Sequence, residues 1–361
     1  MARPEAVLHS FRGYSTDGDR PLGDLIADSA GNLYGTTDTG GAHKKGTIFK
    51  LDPNGEETIL HSFRTSRGER PEGKLVLDAA GDLYGTTLAG GEAHLGTVFK
   101  LSRDGTLKVL HHFTGAPDDG SYPLAGLTPD GKGNFYGVTA VGGEHDQGTL
   151  FKLTADNKLD ILYSFTYSSG WNPLGELIFK NGILYGTTND GGGHGQGAVF
   201  SFDLASNTET VLHGFPSGAD DGRHPQSSLA VDDSGNLYGT TLWGPGQQQN
   251  GIVFKLAPDG TETILHAFVA DGHDGLVPFA GVVLDAKGNI YGTTGDGGAA
   301  NSGTAFKIAP SGKETILYSF AALPDGSRPE AGLLMDGMGN LFGTTAGGGI
   351  YGRGTVFEIT R

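Results

Sequence analysis

The amino-acid sequence predicts an all-β fold, a closed seven-bladed β-propeller of four-stranded antiparallel blades. The phrase Gly-Asn-Leu-Tyr-Gly-Thr-Thr at residues 31–37 recurs in seven versions along the 361 residues, with a period of about 51 residues that is typical of propeller repeats. Each version precedes a glycine-rich loop and a segment of the type Gly-Thr-hydrophobic-Phe-Lys-Leu. The chain contains 64 glycines without a three-residue period, and 36% of it is hydrophobic. This composition indicates a compact fold with many turns.

Each unit contains four short segments of strand-forming residues bounded by turn signals. In the first unit we predict strands A to D at Asp24–Ala27, Leu33–Thr37, Thr47–Leu51 and Thr58–Phe63. The Asp-x-x-Gly-Asn sequence between A and B predicts a tight hairpin in which glycine takes a positive φ. The fourth unit has Asn181-Gly182 at this point, the strongest short signal for a two-residue hairpin.

The two ends of the sequence predict how the ring closes. The chain begins with a lone strand D, Val7–Phe11, and its last strand is a strand C, Gly354–Thr360. Pairing the two would complete one blade and remove the open sheet edges. We therefore expect residues 1–361 to form one domain.

Composition excludes several classes of function. The formal net charge is −16 and no run of Lys or Arg occurs, so we expect no nucleic-acid partner. There are no cysteines, and no apolar run is long enough to span a membrane as a helix. We predict no cofactor and no metal site, because loop histidines on separate blades diverge unless they reach the axis. Six histidines recur in strand D, where Tyr163 and Tyr318 take the same place, and this predicts a packing role for them.

The long D-to-A and B-to-C loops share one face of a propeller, and here the units differ. Each D-to-A loop contains the sequence Gly-x-x-Pro. The residue directly before the proline differs among the seven units, and these residues are Arg20, Arg70, Tyr122, Asn172, His224, Val277 and Arg328. Three residues after the proline, near the channel, stand Asp24, Lys74, Gly126, Glu176, Ser228, Gly281 and Gly332. The sequence therefore predicts a polar mouth to the central channel. The residues that we expect to bind a ligand there are Arg20, Arg70, Lys74, Trp171, Arg223, Trp243 and Arg328.

The repeat resembles that of a known family. The combination of Leu-Tyr-Gly-Thr-Thr, Gly-Gly, Gly-Thr-Val-Phe-Lys-Leu and Leu-His-Ser-Phe is similar to the GloVer tandem-repeat proteins, which are bacterial proteins with varied surface anchors or sorting tails. The resemblance covers the whole chain and is weakest in the fourth and fifth units. It implies export, so we expect an extracellular or periplasmic protein whose first residues follow a removed leader. It implies no shared catalytic residues.

Three functions fit these observations. The first is a monomeric, exported, glycan-binding propeller, and the mouth arginines favour an anionic glycan because the guanidinium group binds carboxylates in a bidentate manner. The second is a polysaccharide-degrading enzyme, either an inverting hydrolase with Asp24 and Glu176 or a uronate lyase with His224 or Tyr122 as base. The third is a scaffold for protein interactions.

Overall fold

The computed structural model describes residues 5–13, 15–217, 221–245 and 250–360. They form seven four-stranded antiparallel sheets arranged as the blades of a propeller, which confirms the predicted fold. The innermost strands, A, are Ile26–Ala27, Val76–Leu77, Thr128–Pro129, Ile178–Lys180, Ala230–Val231, Val283–Leu284 and Leu334–Met335. The B strands are Leu33–Thr37, Leu83–Thr87, Phe135–Thr139, Ile183–Thr188, Leu237–Thr241, Ile290–Thr294 and Leu341–Thr345.

The outer half of each blade is equally regular. The C strands are Thr47–Leu51, Thr97–Leu101, Thr149–Leu153, Ala198–Asp203, Ile252–Leu256, Thr304–Ile308 and Thr355–Ile359. The D strands are Glu57–Ser62, Leu107–His112, Leu159–Ser164, Thr208–Gly214, Glu262–Ala267, Glu314–Ser319 and Glu5–Ser10. The described residues contain little helix, chiefly the 3₁₀ turn Thr65–Arg67, and none of it is a helix able to cross a membrane.

The ring closes as the two ends predict. The N-terminal strand Glu5–Ser10 pairs antiparallel with Thr355–Ile359 and supplies strand D of the seventh blade. Its predicted bounds were two residues late at the start and one late at the end. Phe11 has left the strand and is fully buried, with its ring edge-on to Phe49 of the next blade at 5.1 Å. The same contact joins every pair of neighbouring blades, with ring centroids 5.0–5.4 Å apart.

The long loops meet on one face, as expected. In four blades the D-to-A and B-to-C loops pair as short ribbons, which are Gly18–Asp19 with Thr39–Gly40, Gly120–Ser121 with Val141–Gly142, Gly275–Leu276 with Asp296–Gly297, and Gly326–Ser327 with Gly347–Gly348. In the other three blades a single β-bridge joins the two loops, and these bridges involve Glu69, Trp171 and Arg223. We call this surface the loop face.

Packing explains the glycine and the second threonine of the repeated phrase. A Cβ on Gly35 would lie 2.6 Å from Cζ of Phe49, so only glycine lets this ring of strand C lie against strand B. The hydroxyls of Thr37 and Thr47 hydrogen-bond at 2.8 Å across the same two strands. The same glycine contact occurs in all seven blades, whereas Ala198 and Ile252 replace the partner threonine in blades 4 and 5.

The tyrosine of the phrase joins turn and core. The Tyr34 ring packs between blades 1 and 2, and its hydroxyl donates to Asp28 Oδ2 at 2.9 Å. Asp28 also accepts from the amides of Ala30 and Asn32 and so holds the A-to-B hairpin. Burial, then the hydrogen bond to Asp28, raises the pKa of Tyr34 to about 12. The core thus consists of layers between neighbouring blades, and the centre is a channel.

Candidate functional site

Seven residues in the left-handed conformation form a ring on the loop face. They are the residues directly before the prolines, with φ between 56° and 59°: Arg20, Arg70, Tyr122, Asn172, His224, Val277 and Arg328. The amide of each donates to the B-to-C loop of the preceding blade, and its carbonyl accepts from the residue after strand B of its own blade, as with Arg353 O and Asp38 N at Arg20. This left-handed backbone thereby ties two neighbouring blades together at each position, and the same backbone geometry carries five different types of side chain.

The arginines of this ring are already paired with carboxylates. Buried Asp38 accepts from Arg20 Nη1 at 3.2 Å and from Arg70 Nε at 2.8 Å. Arg70 Nη2 also lies 2.8 Å from Glu72, and Arg328 Nη2 lies 2.6 Å from Glu330. Three of the four predicted ligand-binding arginines, those of this ring, therefore make internal ion pairs. Their charge is largely compensated before any ligand arrives.

The charged residues of the channel also pair with one another. Lys74 Nζ lies 3.6 Å from Glu176 Oε2, and Asp24 Oδ1 accepts from the amide of Gly332 at 2.6 Å. The charge of Glu176, and less strongly that of Asp24, raises the pKa of Lys74. Burial is the main reason that the pKa of Glu176 is raised to about 7. The positive charge of Lys74 therefore interacts with both Glu176 and Asp24, the two carboxylates predicted as the catalytic pair of an inverting hydrolase.

The channel below this charged ring is apolar. A cavity of about 590 Å³ is lined by Ile178, Phe179, Val283 and Leu334, together with Asp24, Lys74 and Glu176. The positions that carry charge in blades 1, 2 and 4 are glycine or serine in the others. The charged groups of the channel therefore come from three of the seven blades.

A second group of predicted site residues lies on the loop face between blades 4 and 5. His224 Nδ1 donates to the carbonyl oxygen of Asn189 at 3.1 Å and lies 3.2 Å from Asp190 Oδ1. Because a carbonyl oxygen only accepts, the proton of a neutral imidazole is on Nδ1 and Nε2 keeps its lone pair. Nε2 makes no hydrogen bond to any residue that the structure describes. Burial acts to raise the pKa of Asp190, but hydrogen bonds from His224 and Asn189 hold it below its usual value.

Arg223 next to this pair is a buried cation. Arg223 is only 3% exposed, and its guanidinium group lies over the Trp243 ring, 5.2 Å from the ring centroid. Nη2 donates to the Gly244 carbonyl at 3.3 Å, while buried Nε has no hydrogen-bond partner among the residues that the structure describes. No carboxylate within the described ranges forms an ion pair with it. The His224 ring packs edge-on to Trp243 at 5.0 Å.

The structure thus brings some of the predicted site residues together and separates others. Arg223, His224 and Trp243 form one cluster, and Trp171 adjoins it through its backbone pairing with Asp190. We call Trp171, Asp190, Arg223, His224 and Trp243 the blade 4/5 cluster. The two tryptophans are half-buried, whereas the Tyr122 side chain, in blade 3, is 38% exposed.

Sequence reasoning missed the acidic partners of this face. Asp38 and Asp190 follow strand B of the preceding blade, 32 residues before Arg70 in one case and 34 residues before His224 in the other. One signal was present, because Asn189-Asp190 departs from the apolar or small residues that most units have there. Glu72 and Glu330 directly follow their prolines and were likewise readable as mouth residues.

Comparison with known proteins agrees with the fold. A family model described as Gloeobacter/Verrucomicrobia repeat matches residues 3–200, 116–294 and 172–361. No curated protein matches the sequence. A structure of streptogramin B lyase superposes with a TM-score of 0.64 at 14% identity, over 99% of this chain and 97% of that one.

Two sugar-lactone hydrolases are also similar in structure. A gluconolactonase from Xanthomonas campestris has a TM-score of 0.50 and 14% identity, with 82% of this chain and 86% of that chain covered. A putative 6-phosphogluconolactonase from Bacteroides fragilis has a TM-score of 0.54 and 19% identity, with 88% and 87% covered. At these identities the likeness concerns the fold alone.

Proposed function

This chain belongs to the Gloeobacter/Verrucomicrobia repeat family, and for this member we propose an exported propeller, extracellular or periplasmic, that binds a carboxylate-bearing carbohydrate through its blade 4/5 cluster. The observation that carries the proposal is Arg223, a buried cation without a carboxylate partner among the described residues. Buried charges are normally paired. An anionic ligand is one way to supply the missing charge.

The neighbours of Arg223 suit a sugar. A pyranose ring presents an apolar face of C–H groups and a polar edge of hydroxyls, so it fits a site that combines aromatic rings with polar groups. Trp171 and Trp243 offer the rings, and Asn172 and His224 offer the polar groups. The mouth arginines Arg20, Arg70 and Arg328 support this less, because each already has an acidic partner.

Binding is tested by calorimetry with oligogalacturonate and oligoglucuronate, using their carboxyl-reduced forms as neutral controls. We expect Arg223→Gln to weaken the affinity for the charged oligomers about tenfold or more, because a hydrogen bond to a charged group contributes roughly 1.5–3 kcal/mol. Arg328→Gln, which removes a paired arginine on the same face, and Arg103→Gln, in the C-to-D turn on the opposite face, are the controls. Equal affinity for charged and reduced oligomers would contradict the proposal, and no binding at all would favour a protein-interaction scaffold.

One observation favours catalysis as a second candidate function. His224 has Nδ1 oriented by Asn189 and Asp190 and a free Nε2, which is the arrangement of a general base. Acting on a uronate, it would take the proton on C5, next to the carboxylate; the C4–O bond would break, a C4=C5 double bond would form, and the departing oxygen would gain a proton. Tyr122 would be the alternative base.

Catalysis is tested by the ultraviolet absorbance of unsaturated product. His224→Ala is expected to abolish product formation while leaving oligomer binding within a few-fold of the unmodified protein. Asp190→Asn is expected to lower the rate because the amide no longer stabilises an imidazolium. If oligomers bind and no product forms at any pH between 5 and 9, the protein is a binder only.

A further inference from the structure

Histidine, aspartate and glutamate from adjoining blades meet at three junctions between blades. The sets are His9, Asp17 and Glu57; His213, Asp221 and Glu262; and His266, Asp274 and Glu314. In each set the histidine is in strand D of one blade, the aspartate in the loop that leads onward, and the glutamate at the start of strand D of the next blade. Within each set one atom per residue lies within 4.8 Å of the others.

From this geometry we propose that each of the three clusters binds one divalent transition-metal ion, for which Zn²⁺ is the probe. One imidazole and two carboxylates are ligands that Zn²⁺ accepts, and a solvent molecule would complete four-coordination. Zn–N and Zn–O bonds of about 2.0–2.2 Å place tetrahedral ligands about 3.3 Å apart. The proposal is independent of the carbohydrate site, which lies on the loop face in the blade 4/5 cluster.

The distances between ligand atoms are close to this requirement. His9 Nε2 lies 3.7 Å from Asp17 Oδ1 and 3.7 Å from Glu57 Oε2. His266 Nε2 lies 3.1 Å from Asp274 and 4.0 Å from Glu314. In the third set His213 Nε2 lies 3.3 Å from Asp221 Oδ2, and a bound ion would have to draw the glutamate of each set closer.

Buried donors without partners occur at all three clusters. His9 Nε2 and one carboxylate oxygen each of Glu57, Glu262 and Glu314 are buried and form no hydrogen bond with described residues. The side chains of Asp17 and Glu57 are 5% and 11% exposed. A buried polar atom without a hydrogen bond lowers the stability of the folded protein. One metal ion in a cluster would coordinate several of these atoms at once.

The clusters also have an excess of negative charge. No Lys or Arg that the structure describes makes an ion pair with any of the six carboxylates. A divalent cation would offset this charge.

The surroundings hold the donors in position. Asp17 accepts from the amides of Arg12 at 2.7 Å and Gly18 at 2.6 Å. The His9 ring packs edge-on to Phe11 at 4.8 Å. Equivalent contacts fix Asp274 and His266. Such supporting contacts orient metal ligands in known sites.

The other four junctions lack part of the set and show different solutions. Between blades 1 and 2, Arg67 and Leu107 replace the two acids. Between blades 2 and 3 the pair His111 and Asp119 is present, but Leu159 occupies the glutamate position, opposite Leu153 in the same register in which Glu57 faces Leu51. At the remaining two junctions tyrosine replaces histidine and donates to the acid, as Tyr318 does to Asp325 at 2.9 Å.

The test measures zinc bound per chain in the full-length protein after chelator treatment, by elemental analysis and calorimetry. We expect three ions per chain, and two in each of Glu57→Gln, Glu262→Gln and Glu314→Gln. Glu209→Gln is the matched control, because it has the same strand position beside Tyr163 rather than histidine, and three ions should remain.

A gain of binding provides the second arm. Leu159→Glu would complete the set with His111 and Asp119, so it is expected to bind a fourth ion. Zinc should also raise the melting temperature of the unmodified protein, and each Glu→Gln variant at a cluster should lose part of that rise. Less than one ion per chain, or a stoichiometry that the three glutamine variants leave unchanged, would overturn the proposal and leave a shared proton as the occupant of these clusters.

Discussion

The pKa of Glu176 makes the stability of the propeller depend on pH, and Glu176→Gln tests this directly. Burial, the Lys74 ion pair and the charge of Asp24 together give a pKa of about 7 in the folded protein, against 4.5 for the free side chain. Between these values the folded state binds more protons than the unfolded state. The contribution of Glu176 to stability is therefore fully present below pH 4.5 and is lost as pH rises through 7.

The magnitude follows from the two pKa values. One unit corresponds to about 1.4 kcal/mol, so the ionised carboxylate costs roughly 3 kcal/mol of folding free energy above pH 7. Glutamine keeps the shape and does not titrate. We expect the difference in unfolding free energy, variant minus unmodified protein, to shift by roughly 2.5 kcal/mol in favour of Glu176→Gln between pH 5 and pH 8.

The assay is urea denaturation of both proteins at pH 5, 6, 7 and 8. Ser228→Ala, at the same position of the channel ring in blade 5, is the control and should give a difference that does not depend on pH. If the Glu176→Gln difference stays constant within about 0.5 kcal/mol across this range, the argument from burial is wrong and Glu176 is ionised without cost in the folded protein.

Two further predictions concern the repeat itself and are checked by the same denaturation assay. Gly137→Ala would place a Cβ 2.4 Å from Cζ of Phe151 and should cost about 1–3 kcal/mol of folding free energy by overpacking. The control Gly337→Ala, whose Cβ would meet no described non-neighbouring residue within 4 Å, should change stability by less than about 0.5 kcal/mol. Equal effects of the two substitutions would refute the packing explanation of the repeated glycine. Thr139→Val should cost about 1–3 kcal/mol because it removes the hydrogen bond of the buried Thr149 hydroxyl. Thr188→Val should be neutral or stabilising, because the buried Thr188 hydroxyl, opposite Ala198, has no hydrogen-bond partner among the described residues. A loss of stability at both positions would show that the hydroxyl pair is not what matters.

The middle of each blade could be predicted residue by residue from the sequence, and its edges could not. Strands Leu33–Thr37 and Thr47–Leu51 have their predicted bounds because glycine, phenylalanine and threonine make the same local contacts in every unit. Strand A is only Ile26–Ala27, since the residues before it follow the wall of the channel. Strand D runs from Glu57 to Ser62, because a bulge shifts its register against strand C and Phe63 turns into the next interblade layer.

The site was predicted in part for a related reason. The residues before the prolines repeat with the period of the blades, so the sequence identified Arg223 and His224 as members of one ring. The residues that contact Arg223 and His224 could not be identified from the repeat period in this way. Asp190 comes from the preceding blade, and the metal-binding set proposed here combines two blades through residues such as Asp17 and Glu57 that the repeat spacing does not connect.

The places where the repeat fails are themselves informative, because a fold that solves one packing problem seven times has no structural reason to solve it differently in two neighbouring blades. Blade 4 loses the threonine pair at Ala198, so the Thr188 hydroxyl has no hydrogen-bond partner in the described part of the chain. Blade 5 loses it at Ile252 and places Trp243 beside the buried Arg223. Local violations of the rules that stabilise a fold concentrate where function is selected instead. The unpaired hydroxyl, the uncompensated arginine and the oriented His224 all lie in blades 4 and 5, which is why we assign the ligand to this side of the loop face rather than to the more numerous but already paired arginines of blades 1, 2 and 7.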